Sequence, residues 1–139
     1  MSAESRSSSI PHSPLSNPIF TWPVRVYWED TDAGGVVYHA SYLRFLERAR
    51  TEWLRSIGIG QSQVRDRDNV VFVLRDLSIT FVRPARLDDE LRVTIESVER
   101  RSASMTFSQC ILRPADDVLV RAQVRVACVS ADRLSVLTT

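Results

Sequence analysis

The sequence predicts an α+β domain in which a curved antiparallel sheet wraps around one long helix. One strand-like segment precedes a single long helical pattern, and four segments with alternating apolar residues follow it. The turns between these later segments are short, which favours antiparallel pairing. The helix is the only element large enough to cover a face of the sheet. We therefore expect about five strands around one central helix.

The first strand is expected at Thr21–Trp28, because this segment mixes β-branched with aromatic residues. Pro23, near its start, indicates an edge strand. Residues 1–18 are rich in Ser and Pro and hold few apolar side chains, so we expect a disordered N-terminal tail. Residues 19–139 then form a single domain, since the sequence shows no internal repeat and no second core.

A long amphipathic helix is predicted from near Tyr38 to just before Gly58, about 20 residues and roughly 30 Å long. Apolar residues recur at spacings of three and four through this run. They are Tyr42, Leu43, Phe45, Leu46, Ala49, Trp53, Leu54 and Ile57. On the polar side, Glu47 has Arg48 and Arg50 close by, and we expect it to pair with them at the helix surface.

The segment after the helix, residues 58–69, is polar and is predicted to be irregular. Four strands follow, with turns at Leu87–Glu90 and Pro114–Asp117. The expected strands are Val70–Val82, Leu91–Glu96, Met105–Leu112 and Val118–Val129.

Overall composition excludes several classes of protein. The net charge is +1, which argues against binding to nucleic acid or to an anionic membrane surface. No apolar run is long enough to span a membrane, and the N-terminus lacks the apolar centre of a signal peptide. We therefore expect a cytoplasmic protein. Cys110 and Cys128 lack the paired spacing of a zinc or redox site, so buried free thiols are expected, with a disulfide between them as the alternative. No metal or cofactor is predicted.

The loop before the helix has the composition of a catalytic site. Helix starts carry unpaired N–H groups and a positive dipole end, which stabilise an electron-rich ligand atom. Gly34 and Gly35 allow the backbone to approach such a ligand, and Asp30 or Asp32 could supply a base or nucleophile. Ordinary turns use the same residue types. For an isolated motif of this kind, the favoured interpretation is a turn in which the aspartates only cap and the glycines only supply positive φ.

The whole segment EDTDAGGVVYHASYLRFLERARTEWL, with WPVRVYW before it and PARLDDEL after it, closely resembles the hotdog-fold thioesterases of the 4-hydroxybenzoyl-CoA thioesterase family. Within that family it looks most like the YbgC-type, Tol-Pal-associated acyl-CoA thioesterases. The resemblance covers about Trp22 to Ser130. It implies a hotdog fold, an acyl-CoA or acyl-carrier-protein substrate, and a homodimer with two composite active sites or a homotetramer.

The resemblance also implies roles for individual residues. Asp32 matches the catalytic aspartate of the loop, and the thioester carbonyl would be polarised by the backbone N–H of His39. The family's loop glycine corresponds to Gly34 or Gly35, and Tyr38 would form a wall of the site. Whether Asp32 attacks the carbonyl or activates water stays open. The imidazole of His39 fits a role in catalysis, or in positioning Asp32, as well as it fits a structural hydrogen bond.

A second cluster resembles the family's nucleotide-binding turn. It comprises Arg101, Ser102 and Ser104, between the third and fourth predicted strands, and would receive the phosphates of CoA. Arg100 fits a solvated charge equally well.

The leading hypothesis is thus an acyl-thioester hydrolase. The alternative is a non-catalytic module that binds acyl thioesters or their carrier protein on the same fold, and a dehydratase is a weaker third choice. Because Asp32, Gly34, Gly35 and His39 are all present, the sequence favours the enzyme.

Overall fold

The computed structural model describes residues 17–132, so nearly all of the predicted tail lies outside the described residues. Five strands form one antiparallel sheet in the order β1-β3-β4-β5-β2. They are β1 Phe20–Arg25, β2 Val70–Phe81, β3 Glu90–Arg101, β4 Ser104–Arg113 and β5 Asp117–Ser130. The long helix α1 spans His39–Ser56. The predicted fold class, a five-stranded sheet around a long central helix, is confirmed.

Helix α1 buries one face against the sheet. The buried residues of α1 are Ser41, Tyr42, Phe45, Leu46, Ala49, Trp53 and Leu54. Trp53 meets Phe107 of β4 edge-on, with ring centroids 5.7 Å apart. The helix packs mainly against β1 and β3. The inner face of β2 is therefore partly uncovered, and Leu74 and Phe81 are 51% and 45% exposed. We call the space between α1 and β2 the α1–β2 groove.

The prediction that residues 58–69 are irregular is wrong, because they contain a second helix, α2, at Gln61–Asp68. None of its residues is buried, so it has no apolar stripe that a sequence pattern could reveal. Interactions at the two ends of α2 stabilise the helix instead. Asn69 adopts a left-handed conformation (φ 58°) that closes its C-terminus, and the Gln61 amide donates to the Thr51 hydroxyl of α1 at 3.0 Å.

The first strand ends at Arg25, three residues earlier than predicted. Trp28–Asp30 form a single 3₁₀ turn instead. The reason lies in one buried side chain, since the Tyr27 N–H donates to the Asp30 carboxylate at 2.9 Å rather than continuing the strand ladder.

Strands β2, β4 and β5 match their predicted bounds to within one residue at each end. Strand β3 runs five residues beyond its predicted end at Glu96, because a bulge between Ile95 and Ser97 interrupts the alternation that marks the strand.

Strands β3 and β4 meet in a tight hairpin in which Arg101 pairs with Ser104. This hairpin places the predicted phosphate-binding cluster at the tip of the sheet. Cys110 and Cys128 are both free thiols. Within residues 17–132, no helix is long and apolar enough to cross a membrane.

Candidate active site

The loop between β1 and α1 folds back on itself as a small hairpin. The Asp32 N–H donates to the Val36 carbonyl at 2.9 Å, and Thr31 bridges Val37. Gly35 has φ +80°, which side-chain-bearing residues rarely adopt. The glycine at this position is therefore required by the turn, and the hairpin brings Asp32 next to the start of α1.

Asp32 is exposed, and one of its two carboxylate oxygens accepts a hydrogen bond. Oδ1 accepts the Gly34 N–H at 2.8 Å, whereas no residue between 17 and 132 hydrogen-bonds to Oδ2. A Cβ at Gly34 would lie 3.3 Å from Oδ1, so a side chain there would crowd this contact. The turn thus fixes the orientation of the carboxylate and leaves one oxygen available for chemistry.

Asp30, in contrast, is built into the structure. It is 3% exposed, and its Oδ1 lies 3.6 Å from the Arg44 guanidinium. Its carbonyl accepts the Tyr38 N–H at 2.9 Å and the Ser41 hydroxyl at 3.1 Å. Asp30 therefore connects the strand end to the helix start, and its buried carboxylate is not available as the base or nucleophile.

The start of α1 offers free donors beside Asp32. Tyr38 is the N-cap residue and provides no side-chain cap, with φ −69° and ψ 142°. Neither the His39 N–H nor the Ala40 N–H has a hydrogen-bond acceptor in the described part of the chain. Two backbone donors at a positive helix end can stabilise a developing oxyanion.

These groups line one cavity of about 280 Å³. Its walls are Asp32, Val36, Val37, Tyr38, His39, Tyr42, Phe81, Val82, Arg83 and Pro84. The cavity thus joins the loop carboxylate and the helix start to an apolar wall supplied by the end of β2. Of the predicted site residues, it brings together Asp32, Tyr38 and His39, while Gly34 and Gly35 shape the hairpin that carries Asp32.

The imidazole of His39 is exposed and makes no hydrogen bond within residues 17–132. Its ring lies between aromatic neighbours, with centroids 4.9 Å from Phe81 and 6.2 Å from Tyr38. Within the described residues, the structural hydrogen bond considered from the sequence is thus not formed. The ring instead borders the cavity, where it could contact a ligand.

Sequence reasoning missed Tyr42 as part of the site. It is 2% exposed, and its hydroxyl accepts the Ala85 N–H at 2.9 Å. Burial raises the pKa of Tyr42. The Ala85 carbonyl in turn accepts the Val37 N–H at 2.9 Å. The segment after β2 therefore connects the helix to the loop through Ala85. The sequence signal in this segment is Pro84, which follows the end of β2 at Phe81 and indicates the end of a strand rather than a contact with Tyr42.

The predicted phosphate-binding cluster lies elsewhere. Arg101, Ser102 and Ser104 line a cavity of about 220 Å³ beside Trp53 and Ile57, at the C-terminal end of α1. Arg101 contacts Glu99 at 3.2 Å in an exposed ion pair. Helix α1 has 18 residues. Its ends are therefore about 27 Å apart, and within one chain the cluster is separated from Asp32 by that length.

The predicted pairing of Glu47 with Arg48 and Arg50 is wrong. Among residues 17–132, no arginine lies within ion-pairing distance of Glu47, whose carboxylate accepts the Thr51 hydroxyl at 3.3 Å. Arg50 reaches towards the sheet instead and donates to the Gln109 side chain at 3.1 Å. It borders a third cavity, of about 130 Å³, in the α1–β2 groove.

Comparison with known proteins identifies the family of this chain. The family model described as the thioesterase-like superfamily matches residues 26–136. "Acyl-CoA thioester hydrolase YbgC" of Escherichia coli O6:H1 is 48% identical over 115 residues, which cover 83% of this chain and 85% of the relative. "Acyl-CoA thioesterase YbgC" of Haemophilus influenzae is 46% identical, covering 83% of this chain and 84% of the relative.

A solved structure, a probable thioesterase from Bartonella henselae, has the same fold. It superposes with a TM-score of 0.76 and 36% identity, covering 81% of this chain and 92% of that protein. The residues matched by the family model include the β1–α1 loop, the central helix and strands β2 to β5, and the comparisons confirm the family predicted from the sequence. The chain belongs to the thioesterase-like superfamily.

Proposed function

We propose that the protein hydrolyses acyl-CoA thioesters to a free acid and CoA. The observation that carries this proposal is the cavity in which the free oxygen of Asp32 lies beside the unpaired N–H groups of the helix start. Thioester hydrolysis needs those two parts, a nucleophile or base and an oxyanion donor. The acyl-CoA hydrolase names of the YbgC relatives support the substrate class. Thioesters of acyl carrier protein fit the same chemistry.

In the proposed reaction, the thioester carbonyl oxygen accepts hydrogen bonds from the His39 and Ala40 N–H groups. Asp32 then acts in one of two ways. It attacks the carbonyl carbon, expels the CoA thiolate and forms a mixed anhydride that water cleaves, or it takes a proton from a water that attacks directly. Both routes end in an acid and a thiol. Tyr38 forms the cavity wall, and the His39 imidazole can position Asp32 or carry a proton.

The active site is proposed to be completed by a second copy of the chain. Strand β2 pairs only with β5 in the described structure, so its twelve-residue edge is open, and apolar side chains on its inner face are exposed. Antiparallel pairing of two β2 strands about a dyad would place the Phe81 end of one strand beside the Phe72 end of the other. The Asp32 cavity would then face the partner subunit's Arg101 cavity across the interface.

The composite site gives Arg101 a specific role. Arg101→Ala should raise KM for acyl-CoA about 5- to 150-fold, because one charge-assisted phosphate contact contributes about 1 to 3 kcal/mol. It should leave kcat for a short pantetheine thioester, which carries no nucleotide phosphate, nearly unchanged. Steady-state kinetics with the two substrates separate phosphate binding from a structural role. If the role is structural, the substitution should impair hydrolysis of both substrates equally.

Mixing two defective proteins tests the subunit arrangement. A mixed dimer of Asp32→Asn and Arg101→Ala chains contains one intact site if Asp32 and Arg101 come from different chains. Low-KM activity should therefore reappear after the two variants are unfolded and refolded together. If both residues acted within one chain, the mixture would retain the high KM of the Arg101→Ala protein, which would contradict the composite site.

We also propose a cytoplasmic homotetramer associated with the Tol-Pal system, which rests on the resemblance of the sequence motifs alone. The proposed activity itself is tested with purified protein and a series of acyl-CoAs of graded chain length, by following thiol release. Hydrolysis of at least one acyl-CoA is expected. Saturable binding of acyl-CoA without thiol release would favour the alternative, a non-catalytic binding module.

A further inference from the structure

One side of α1 connects the candidate active site to a second cavity. His39, Leu43, Glu47, Arg50 and Leu54 follow one another at spacings of three and four, so they lie on the same side of the helix. The cavity of about 280 Å³ lies at the first of these residues, and the cavity of about 130 Å³ lies at the last three. Strand β2 borders both. The α1–β2 groove therefore leads from the reacting centre towards Arg50.

The second cavity is mostly apolar but contains a fixed cation. Its apolar lining is Leu54, Phe72, Leu74, Met105, Phe107 and Val126, and its polar lining is Glu47, Arg50, Thr51 and Gln61. Arg50 donates to Gln109 Oε1 at 3.1 Å, and Gln109, 1% exposed, donates in turn to the Leu46 carbonyl at 3.1 Å. The guanidinium also lies over Phe107, 6.0 Å from the ring centroid. Arg50 is thus held in place from the sheet side.

Arg50 forms no ion pair within the described residues, although the acidic residue Glu47 lines the same cavity. Among residues 17–132, no carboxylate lies within ion-pairing distance of Arg50, and Gln109 is the only hydrogen-bond acceptor that the protein offers it. Burial lowers the pKa of Arg50 to about 10, an effect that the charge of Glu47 partly offsets, so Arg50 stays protonated at neutral pH. A partly desolvated guanidinium with free N–H groups is stabilised by a carboxylate, which it can bind through two oxygens.

We propose that Arg50 is a specificity-determining residue that binds a carboxylate at the far end of the acyl group. The proposal rests on the proposed function, and it assigns the protein acyl-CoAs of dicarboxylic acids as preferred substrates. Arg50 follows His39 by eleven positions, about 16 Å along the helix axis. Helical side chains lean towards the N-terminus of the helix. The distance between the guanidinium and the reacting centre is therefore shorter than the distance between the two backbone positions. An extended suberoyl group is shorter than about 16 Å, so its carboxylate meets the guanidinium only because the Arg50 side chain extends back towards the reacting centre.

The test compares suberoyl-CoA with octanoyl-CoA, which has the same chain length but ends in a methyl group. The native protein should show a higher kcat/KM for suberoyl-CoA. Arg50→Met keeps an unbranched side chain but removes the charge, and it should lower the suberoyl-to-octanoyl ratio about tenfold or more, since a hydrogen bond to a charged group contributes about 1.5 to 3 kcal/mol. The octanoyl-CoA value should change little.

Arg48→Met is the matched control, because Arg48 is exposed on another side of α1, over Phe45. It should leave the substrate ratio unchanged. Should Arg50→Met fail to fold, Arg50→Gln can keep a hydrogen bond to Gln109 without the charge and should show the same fall in ratio. Equal losses for both substrates would overturn the proposal and make Arg50 structural.

The native protein alone separates this proposal from the proposed function. Hydrolysis of octanoyl-CoA without a preference for suberoyl-CoA overturns only the role of Arg50. If no acyl-CoA is hydrolysed, the proposed function is wrong, and the assignment of Arg50 is wrong with it.

Discussion

Replacing Asp32 with Asn is expected to lower kcat for acyl-CoA hydrolysis by about 10² to 10⁴, the usual contribution of a positioned base. The Asn side chain has the same size, and its amide oxygen can still accept the Gly34 N–H that now binds Oδ1. The fold of the loop should therefore persist. What is lost is the charge and basicity of the free oxygen. Single-turnover and steady-state rates of thiol release measure the effect, and CoA affinity should change little.

Asp30→Asn is the matched control, two residues earlier in the same loop. Asp30 is buried, and its carboxylate accepts the Tyr27 N–H and lies 3.6 Å from Arg44. Loss of its charge should cost about 1 to 3 kcal/mol of unfolding free energy, measured by urea denaturation, with smaller effects on kcat. A folded Asp32→Asn protein with activity within a few-fold of the parent would show that the catalytic group is another residue, with His39 the next candidate.

The sequence predicted the elements that bury an apolar face. Helix α1 and strands β3 to β5 carry spacings of three to four or of two, and these patterns reflect burial against a common core. Strand β2 carries the same alternation on a face that stays partly exposed within one chain. Helix α2 escaped prediction because it buries nothing and is held by its ends. The end of β1 was misplaced because one buried carboxylate, Asp30, takes the Tyr27 N–H out of the strand ladder.

Sequence reasoning could predict the site only where its residues lie close together in the sequence. Asp32, Tyr38 and His39 lie within eight consecutive residues, so a loop and a helix start bring them to one cavity. Contacts between distant residues could not be derived in this way. Arg50 binds the buried side-chain amide of Gln109 in the sheet rather than Glu47 on its own helix. This contact depends on how α1 packs against β4.

The second large effect is expected from the backbone of His39. Replacing His39 with Pro removes its N–H, the proposed oxyanion donor, and should lower kcat about 10²- to 10³-fold. The helix should survive, because proline is favoured at the first helical position, and Tyr38 before it already has the extended conformation that proline requires (φ −69°, ψ 142°). Circular dichroism checks the helix, and thiol release from a good acyl-CoA substrate measures the rate.

His39→Ala is the control that separates backbone from side chain, since it removes the imidazole and keeps the N–H. If the N–H polarises the carbonyl and the imidazole only lines the cavity beside Phe81, His39→Ala should retain most of the activity that His39→Pro loses. Equal losses in both variants would assign the effect to the imidazole. A His39→Pro protein that keeps its helix and its full kcat would exclude this N–H as the donor, and the Ala40 N–H, which also has no acceptor within residues 17–132, would then be the remaining candidate at the helix start.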